Sequence, residues 1–560
     1  MKMGAEGEVE SLTLAHLPIV KEYARRMGLV ELVDRALVSG MQLSPGKALL
    51  GLVMNVLCGR SPLYRVAEFF RMRDVSLLLG EEMTAAMFND DAIGRVLDRI
   101  YEYGTWKIFS EVCVQAFRNF DVDCSVVHQD TTSVSVWGEY NPEPGDPIRI
   151  TNGFSKDKRP DLKQFIFSLL CVEGNLPCHA GILDGNAADK KTNGKILAEI
   201  PRIMARHGVG PQEFIYVADS ALVTEDNLSL IGDDIRYITR LPENFGSCGR
   251  LIDKAVASGS WQDVGALSHR KVKGKEMCAS YRLQEDTVEL YGRTYRAMVV
   301  YSDVHDRRRQ KRIDKAVRKD MAAVAAHAMD LQRKEFFCLP DAQAAAATLQ
   351  GDFHRVAFTF ESRPVYGRGR PCKNGTRRVQ RVRHRVRATV SENKLAVEKL
   401  REKAGCFVLL TNVSVEEKSG LEILKIYKEQ DGIERNFGFL KDPLVVNDVF
   451  LKKPHRIEAM GLVLVLSLLL WRLMERTMRR NTRENNIALQ GWNNRDTASP
   501  TSFMMVSKFS PVFVGIDGDR RFLFTPLDKV QLAYLSALEV HPAVFTKTDS
   551  DTGSSRAGYH

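Results

Sequence analysis

Several features that would narrow the function of a 560-residue chain are missing from this sequence. Its ten cysteines include no C-x-x-C pair, which excludes a zinc-ribbon or disulfide-scaffold pattern and indicates reduced thiols in a cytosolic protein. The first residues, MKMGAEGEVE, lack the apolar segment of a signal peptide. There is no G-x-x-x-x-G-K-[ST] motif, so the sequence does not predict a nucleotide hydrolase of the phosphate-loop type.

Long hydrophobic runs are also scarce. The strongest covers residues 459–471, between Glu458 and Arg472. A helix needs about 20 apolar residues to cross a bilayer, so this run predicts a buried core helix instead. We therefore expect a protein with no membrane partner.

What is present is ordinary globular composition with a basic excess. Hydrophobic residues make up 44% of the chain and charged residues 27%, which allows a large buried core. The formal net charge is +10, and the sequence pI is near 9.0. This excess is weak evidence for a polyanionic partner until its position in the chain is considered.

The hydrophobic periodicity changes along the chain and predicts an α/β protein in several parts. Residues 1–120 resemble a bundle of short helices, which suits a DNA-binding or a dimerisation module. Three strands, a helix, a strand, a helix and a strand follow, typical of a mixed sheet. Five segments are predicted: a helical N-terminal domain (1–120), the first half of an α/β core (121–241), an inserted β-rich basic domain (242–412), the second half of the core (413–480) and a helical segment with a flexible tail (481–560).

Two predicted strands end at acidic residues. Asp130 follows the apolar run of VVHQDTTS, and Asp219 follows that of FIYVADSAL. Strand ends are where α/β folds place ligand-binding groups. Two neighbouring carboxylates are suitable ligands for Mg²⁺, although an Asp after an apolar strand is common by itself.

A third acidic residue lies in a segment with helical spacing. Tyr427, Gln430, Glu434 and Lys441 recur at intervals that place them on one helical face. Such a face can direct Glu434 toward a metal while Tyr427 and Lys441 reach phosphate oxygens. The alternative is an amphipathic helix with two boundary charges.

Other residues compete for these roles. Glu429 and Glu458 are rival third acids, and His128 is either a packed side chain or a neighbour of Asp130 on the same face. The basic residues Lys156, Arg159 and Lys163 either bind phosphate or belong to a solvated loop.

The positive charge is concentrated between residues 363 and 387, which hold ten Lys or Arg and no acid. Within this range four arginines alternate with Val382, His384 and Val386; they are Arg381, Arg383, Arg385 and Arg387. A strand would place all four guanidinium groups on one face, where they repel one another unless an anion lies over them. The DNA backbone is the expected anion; a solvated charged strand is the alternative.

Just upstream, the sequence Arg368-Gly-Arg370-Pro resembles the core of an AT-hook, in which arginines enter a narrow A·T minor groove.

The spacing around Glu434 resembles a known signature. Tyr427 and Lys441 lie seven residues before and after Glu434, as in the Tyr-x2-Arg-x3-Glu-x6-Lys pattern of bacterial insertion-sequence transposases of the DDE class. Gln430 stands at the Arg position and departs from the pattern. The run NGFSKDKRPDLKQF (152–165) is similar to a second conserved run of that group.

The resemblance implies a ribonuclease H-like core interrupted by a β-rich insertion, with Asp130, Asp219 and Glu434 as catalytic residues and as ligands of two Mg²⁺ or Mn²⁺ ions. It also implies strand cleavage at element ends, strand transfer by the freed 3′-hydroxyl, a homodimer on double-stranded DNA, and a cytoplasmic, nucleoid-associated location. Two alternatives remain: a nuclease on the same core, and a transposase-derived DNA-binding protein without catalysis.

Overall fold

The computed structural model describes residues 10–59, 61–141, 143–155, 159–272, 275–369, 375, 377–441, 453–518 and 520–548. The protein is mixed α/β, with 49% helix and 23% strand. It divides into two compact units: a first unit of Met1–Thr239 and Ile426–His560, and a second unit of Arg240–Lys425.

The first unit begins with a helical region whose helix starts follow from local sequence. α3 begins at a proline after Ser44, whose side chain caps the backbone N–H of Lys47. Asn89 caps the next long helix by accepting from Ala92 at 2.9 Å, as its position in the sequence predicts. The helices are α1 (Leu17–Arg26), α2 (Leu29–Ala36), α3 (Pro45–Met54), α4 (Val66–Arg71), α5 (Val75–Leu79), α6 (Asp90–Tyr103) and α7 (Thr105–Phe120).

Five strands of the first unit are neighbours in the order β4-β3-β2-β5-β6. They are β2 (Val126–Val136), β3 (Lys163–Val172), β4 (Leu176–Leu183), β5 (Ile215–Val217) and β6 (Arg236–Arg240). The pairs β2–β3 and β3–β4 are antiparallel, whereas β2–β5 and β5–β6 are parallel. The connections between the parallel strands contain α8 (Asp189–Arg206) and α9 (Glu225–Ile231), as the periodicity predicts.

The apolar run 459–471 lies in a long helix, Pro454–Glu484, that packs against β4 and against helices α3, α6 and α7. By length and composition this helix is sufficient to cross a membrane, but 94% of its most apolar window is buried inside the protein. The prediction of a core helix is confirmed. Numbered in chain order after α14 (Gly420–Glu429) and α15 (Asp431–Leu440), it is α16.

Residues from the two ends of the described chain share a small sheet in the first unit. β1 (Glu10–Thr13) pairs antiparallel with β15 (Phe513–Asp517), which pairs with β16 (Arg520–Leu523). The remaining elements here are β13 (Leu489–Gln490), β14 (Asp496–Thr497), α17 (Ser502–Phe509) and α18 (Lys529–Ala537). The strands were not anticipated from the sequence, which predicts helix and tail after residue 480.

The second unit combines antiparallel strands with helices. β12 (Cys406–Thr411), β9 (Arg293–Ser302), β8 (Lys275–Leu290) and β7 (Gln262–Val272) are neighbours in that order. Its helices are α10 (Gly246–Ser258), α11 (Asp303–Arg333), α12 (Leu339–Ala347) and α13 (Lys394–Lys403). The sequence does not predict the strands β7 and β8, because lysines, arginines and acidic residues interrupt the alternation of apolar and polar positions along them.

A separate hairpin carries the basic segment. β10 (His354–Tyr366) pairs with β11 (Val379–Glu392), and one face of the pair covers an apolar cluster with α11 and α12 that includes Val386, Phe358 and Phe360. The strand predicted over residues 381–387 is therefore present. Its predicted apolar face is only partly buried, because Val386 is buried but Val382 is 42% exposed.

Candidate active site

The first two predicted acids lie at matching positions on neighbouring parallel strands. β2 and β5 are in register at His128 and Val217, and two further residues along each chain lead to Asp130 and Asp219. Adjacent strands lie about 4.8 Å apart, so the register brings the two backbones close at this end of the sheet. Both side chains are half-buried.

Asp219 is fixed by its local structure. It begins a short 3-10 helix, and its Oδ1 accepts a hydrogen bond from the backbone N–H of Ala221 at 3.1 Å. Its carbonyl oxygen accepts from the hydroxyl of Thr239 on β6 at 2.7 Å, and the Asn193 amide of α8 lies 3.5 Å from its carboxylate. Three surrounding elements therefore hold this residue in position.

On the face of the sheet opposite to Asp130, a side-chain hydrogen bond joins β2 to β5. Gln129 lies between His128 and Asp130 and accepts a hydrogen bond from the hydroxyl of Tyr216 at 3.0 Å. Both partners are buried, and burial raises the pKa of Tyr216. Because successive residues of a strand point to opposite faces, Asp130 and His128 share the other face.

The predicted Glu helix packs on β2, but it is not one continuous helix. α14 ends at Glu429 and α15 begins at Asp431, so Gln430 lies at the break between them. The single helical face predicted over residues 427–441 is therefore wrong in this detail. Across the break, the carboxylate of Glu429 lies 3.9 Å from Nε2 of His128 on β2.

The structure places the remaining residues of the predicted face at different depths. Glu434 lies in the first turn of α15 and is exposed, whereas Tyr427, Gln430 and Lys441 are half-buried. Glu429, one of the rival acids, contacts His128 on the strand that carries Asp130. The sequence favours Glu434 over Glu429, because Glu429 lacks Tyr and Lys at the signature offsets.

In the described part of the chain, no three His, Cys, Asp or Glu side chains converge on a common metal position. The donor chemistry nevertheless suits a hard cation. Asp130 lies inside β2 and not at its end as predicted, Asp219 lies two residues beyond β5, and both carboxylates are half-buried. Further carboxylates lie on α14 and on α15, which packs on β2. The residues present therefore fit divalent metal binding in kind.

Three basic residues at or before the start of β3 are predicted to bind phosphate, and two of them have partners within the protein. Arg159 forms an ion pair with Asp161 at 2.6 Å, and its guanidinium lies 5.1 Å from the ring of the exposed Trp137. The Lys163 ammonium donates to the carbonyl oxygens of Glu139 and Tyr140. Both cations thus have intramolecular partners, while Lys156 lies outside the described residues.

Carboxylates of the protein itself neutralise part of the positive charge on the arginine face of β11. Arg385 forms an ion pair with Glu335 at 2.6 Å, and Arg387 forms one with Glu361 of β10. Two carboxylates therefore reduce the predicted repulsion among the four arginines. Both carboxylates lie outside residues 363–387, the basic segment that contains no acidic residue.

The other two arginines of this face differ. The guanidinium of Arg383 lies 3.8 Å from the ring centroid of Phe337, a cation–π contact, and Arg381 is exposed toward the hairpin end. Arg368, beyond β10, is exposed as well, whereas Arg370 lies outside the described residues. Positive charge is thus least compensated toward the end of the hairpin.

Comparison with known proteins gives one partial match. A family model described as a domain of unknown function (DUF4277) matches residues 9–114, the helical N-terminal region. No curated protein matches the chain.

Proposed function

We propose that this protein is a DDE transposase that cleaves DNA at the ends of a mobile element and joins the freed 3′-hydroxyl to target DNA. Asp130, Asp219 and Glu434 are the proposed catalytic residues. The observation that carries the proposal is the placement of Asp130 on β2 and of Asp219 just beyond the neighbouring parallel strand β5, with α15, the helix that bears Glu434, packed on β2.

The strand arrangement supports a ribonuclease H-like core. Three antiparallel strands are followed by two strands parallel to the first, giving the order β4-β3-β2-β5-β6. The second unit, Arg240–Lys425, separates these strands in sequence from Glu429 and from α15. This separation agrees with a core interrupted by an insertion.

The chemistry requires an attacking oxygen and a leaving oxygen at one phosphorus atom. Water first attacks the phosphodiester, and the 3′-oxygen leaves with a proton. The resulting 3′-hydroxyl then attacks a phosphodiester of the target, which forms a new ester bond while the 3′-oxygen of the target strand leaves with the proton. Two Mg²⁺ or Mn²⁺ ions, held by the three acids, would supply stabilisation of both oxygens. Lys441, Tyr427 and Gln430 are proposed to contact the phosphate backbone.

DNA binding is assigned to two regions. The N-terminal domain matched by the family model is found in transposase-like proteins, which supports a role at the element ends or in dimer formation. The basic hairpin of the second unit supplies phosphate contacts through its arginines. We infer a homodimer acting on two ends, in the cytoplasm and associated with the nucleoid.

A strand-transfer assay tests the proposal. Purified full-length protein is mixed with Mg²⁺, a supercoiled target plasmid and linear DNA from either side of the gene, and nicked ends and joined products are separated on gels. Asp130→Asn and Asp219→Asn should each lower both reactions about a hundredfold or more, because each removes a proposed ligand of the metal ions, which stabilise the transition state by several kcal/mol.

Glu458→Gln is the matched control, since this half-buried glutamate is on α16 and outside the proposed site. Cleavage without joining would assign a nuclease. DNA binding without either reaction would assign a transposase-derived binding protein. Joining that persists in Asp130→Asn would refute the active-site assignment.

A further inference from the structure

A set of buried polar side chains, connected by hydrogen bonds, includes Asn436 of α15, the helix that bears Glu434. Asn436 is fully buried, and its amide donates to the carbonyl oxygen of Asn175 at 2.8 Å and lies 3.4 Å from Sγ of Cys171. Cys171 is on β3, directly opposite His128 of β2. Asn436 therefore connects α15 to the strands beside Asp130.

The connected set extends to Arg472 and Glu475 of the core helix, α16. Nε of Arg472 on α16 donates to the side-chain oxygen of Asn436 at 2.7 Å, and its Nη1 donates to Glu475 at 3.1 Å. Glu475 also forms an ion pair with Arg479 at 2.7 Å and accepts from the backbone of Ser502 at 3.3 Å. Burial lowers the pKa of both Arg472 and Arg479, because both guanidinium groups are largely removed from water.

A second close contact lies one turn earlier on α15. A Cβ placed on Gly432 would meet the side-chain amide of Asn175, so a larger residue here would have to displace that side chain. Gly432 and Asn436 thus fix the helix at two points on either side of Glu434. Buried ion pairs stabilise little compared with apolar packing of the same shape, but removing one partner is costly, so they are suited to specifying one arrangement.

We propose that Asn436, Arg472 and Glu475 are positioning residues that fix the register of α15 and thereby the location of the Glu434 carboxylate. A slip of one residue along this helix would move Glu434 by about 1.5 Å along the axis and rotate it by about 100°. The same slip would break the hydrogen bonds of Asn436 to both Asn175 and Arg472. The inference rests on the proposed function only in assigning Glu434 to the metal site.

The test combines metal binding with hydrogen exchange in the full-length protein. Mn²⁺ binding is measured by electron paramagnetic resonance of the free ion, and amide exchange is measured over residues 431–440. In Asn436→Ala and Arg472→Met the dissociation constant for Mn²⁺ should rise about tenfold, as for other residues that orient metal ligands. Amide exchange in α15 should accelerate in both variants.

Thr477→Ala is the matched control. This buried hydroxyl is on the same core helix and donates to the carbonyl of Leu473 at 2.9 Å, so its loss destabilises α16 without touching Asn436. It should lower the melting temperature but leave Mn²⁺ binding and α15 exchange unchanged. Arg472→Lys keeps the positive charge beside Glu475 and should recover part of the lost Mn²⁺ affinity.

The outcomes separate this inference from the proposed function. If the wild-type protein joins DNA and Asn436→Ala binds Mn²⁺ with unchanged affinity, the positioning role is wrong and the transposase assignment stands. If the wild-type protein neither binds Mn²⁺ nor cleaves, the proposed function fails, and exchange over residues 431–440 decides the register role alone. Should Asn436→Ala fail to fold, Asn436→Ser and Arg472→Lys provide the same comparison.

Discussion

Individual residues of the candidate site differ in how far the sequence determines them. The sequence predicts that each of Asp130 and Asp219 ends a strand, but β2 continues past Asp130 to Val136, and only Asp219 follows its strand. The parallel register of β2 and β5 brings the two residues to matching positions. The third acid is less constrained, because Glu429 and Glu434 are five residues apart on two helices separated by Gln430. A helical period assumed across that break cannot decide which carboxylate faces the sheet.

Comparing the two glutamates in the strand-transfer assay resolves this choice. We expect Glu434→Gln to reduce cleavage and joining about a hundredfold, because a metal ligand is lost. Glu429→Gln should reduce them less than about fivefold, since Glu429 contacts His128 and is largely exposed. The reverse order would transfer the catalytic assignment to Glu429 and show that the resemblance at Glu434 misleads.

His16, next to α1, gives a residue-scale prediction for stability. Burial lowers its pKa to about 4 in the folded protein, below its ordinary value of 6.5. Between these pH values the unfolded chain binds more protons, so stability is complete above pH 6.5 and is lost as pH falls toward 4. The loss is at most about 1.4 kcal/mol per pH unit for this group.

The measurement is urea unfolding of the wild-type protein and His16→Gln at pH 7 and pH 5. The variant should lose about 2 kcal/mol less between the two pH values. His327→Gln, which changes an exposed histidine, should retain the wild-type dependence. Equal pH dependence in all three proteins would mean that His16 does not titrate as its burial implies.

Among the elements, the hairpin β10–β11 was predicted most completely. Alternation of arginine with apolar residues predicts the strand, which is present, and an inward apolar face, which is buried at Val386 but exposed at Val382. Glu335 and Glu361 were missed as partners because they lie far from Arg385 and Arg387 in sequence. Cross-strand and loop partners depend on the fold, so a local pattern does not contain them.

These partners predict that the arginines contribute unequally to DNA binding. Replacing Arg381 and Arg383 by Ala should reduce the slope of log K against log salt by about 1.8, if each neutralises one phosphate. Replacing Arg385 and Arg387 by Ala should reduce it by less than about 1, because their carboxylate partners already neutralise them. The two double variants are matched in charge and in strand, so each controls for the other.

Binding to a fixed duplex, measured by fluorescence anisotropy between low and moderate salt, gives both slopes. Equal changes in the two variants would show that DNA displaces the internal ion pairs. An unchanged slope in both would remove this face from the DNA-binding surface.

At the scale of the whole molecule, the first unit depends on α16. The composition predicts this buried helix, but its neighbours come from both halves of the chain and are not local in sequence. The same limit explains why the sheet of β1, β15 and β16 went unpredicted: its strands are short, and their partners are about 500 residues apart.

Truncating one core leucine of α16 tests this dependence. Leu469→Ala removes a fully buried side chain and should lower the free energy of unfolding of the first unit by about 2–5 kcal/mol. Leu230→Ala, at an exposed position of α9 in the same unit, should change it by less than about 0.5 kcal/mol. Chemical denaturation followed by far-ultraviolet circular dichroism measures both, and similar losses would show that α16 is not the main core element.

The pairing of β1 with β15 has a consequence for biosynthesis. Residues 10–13 are translated some 500 residues before their hydrogen-bonding partners at 513–516. At the 5–20 residues per second of bacterial and eukaryotic translation, this strand edge waits for about half a minute or more. During that time the unpaired edge can pair with other nascent chains, so we expect the yield of native protein to depend on chaperones that cover β1.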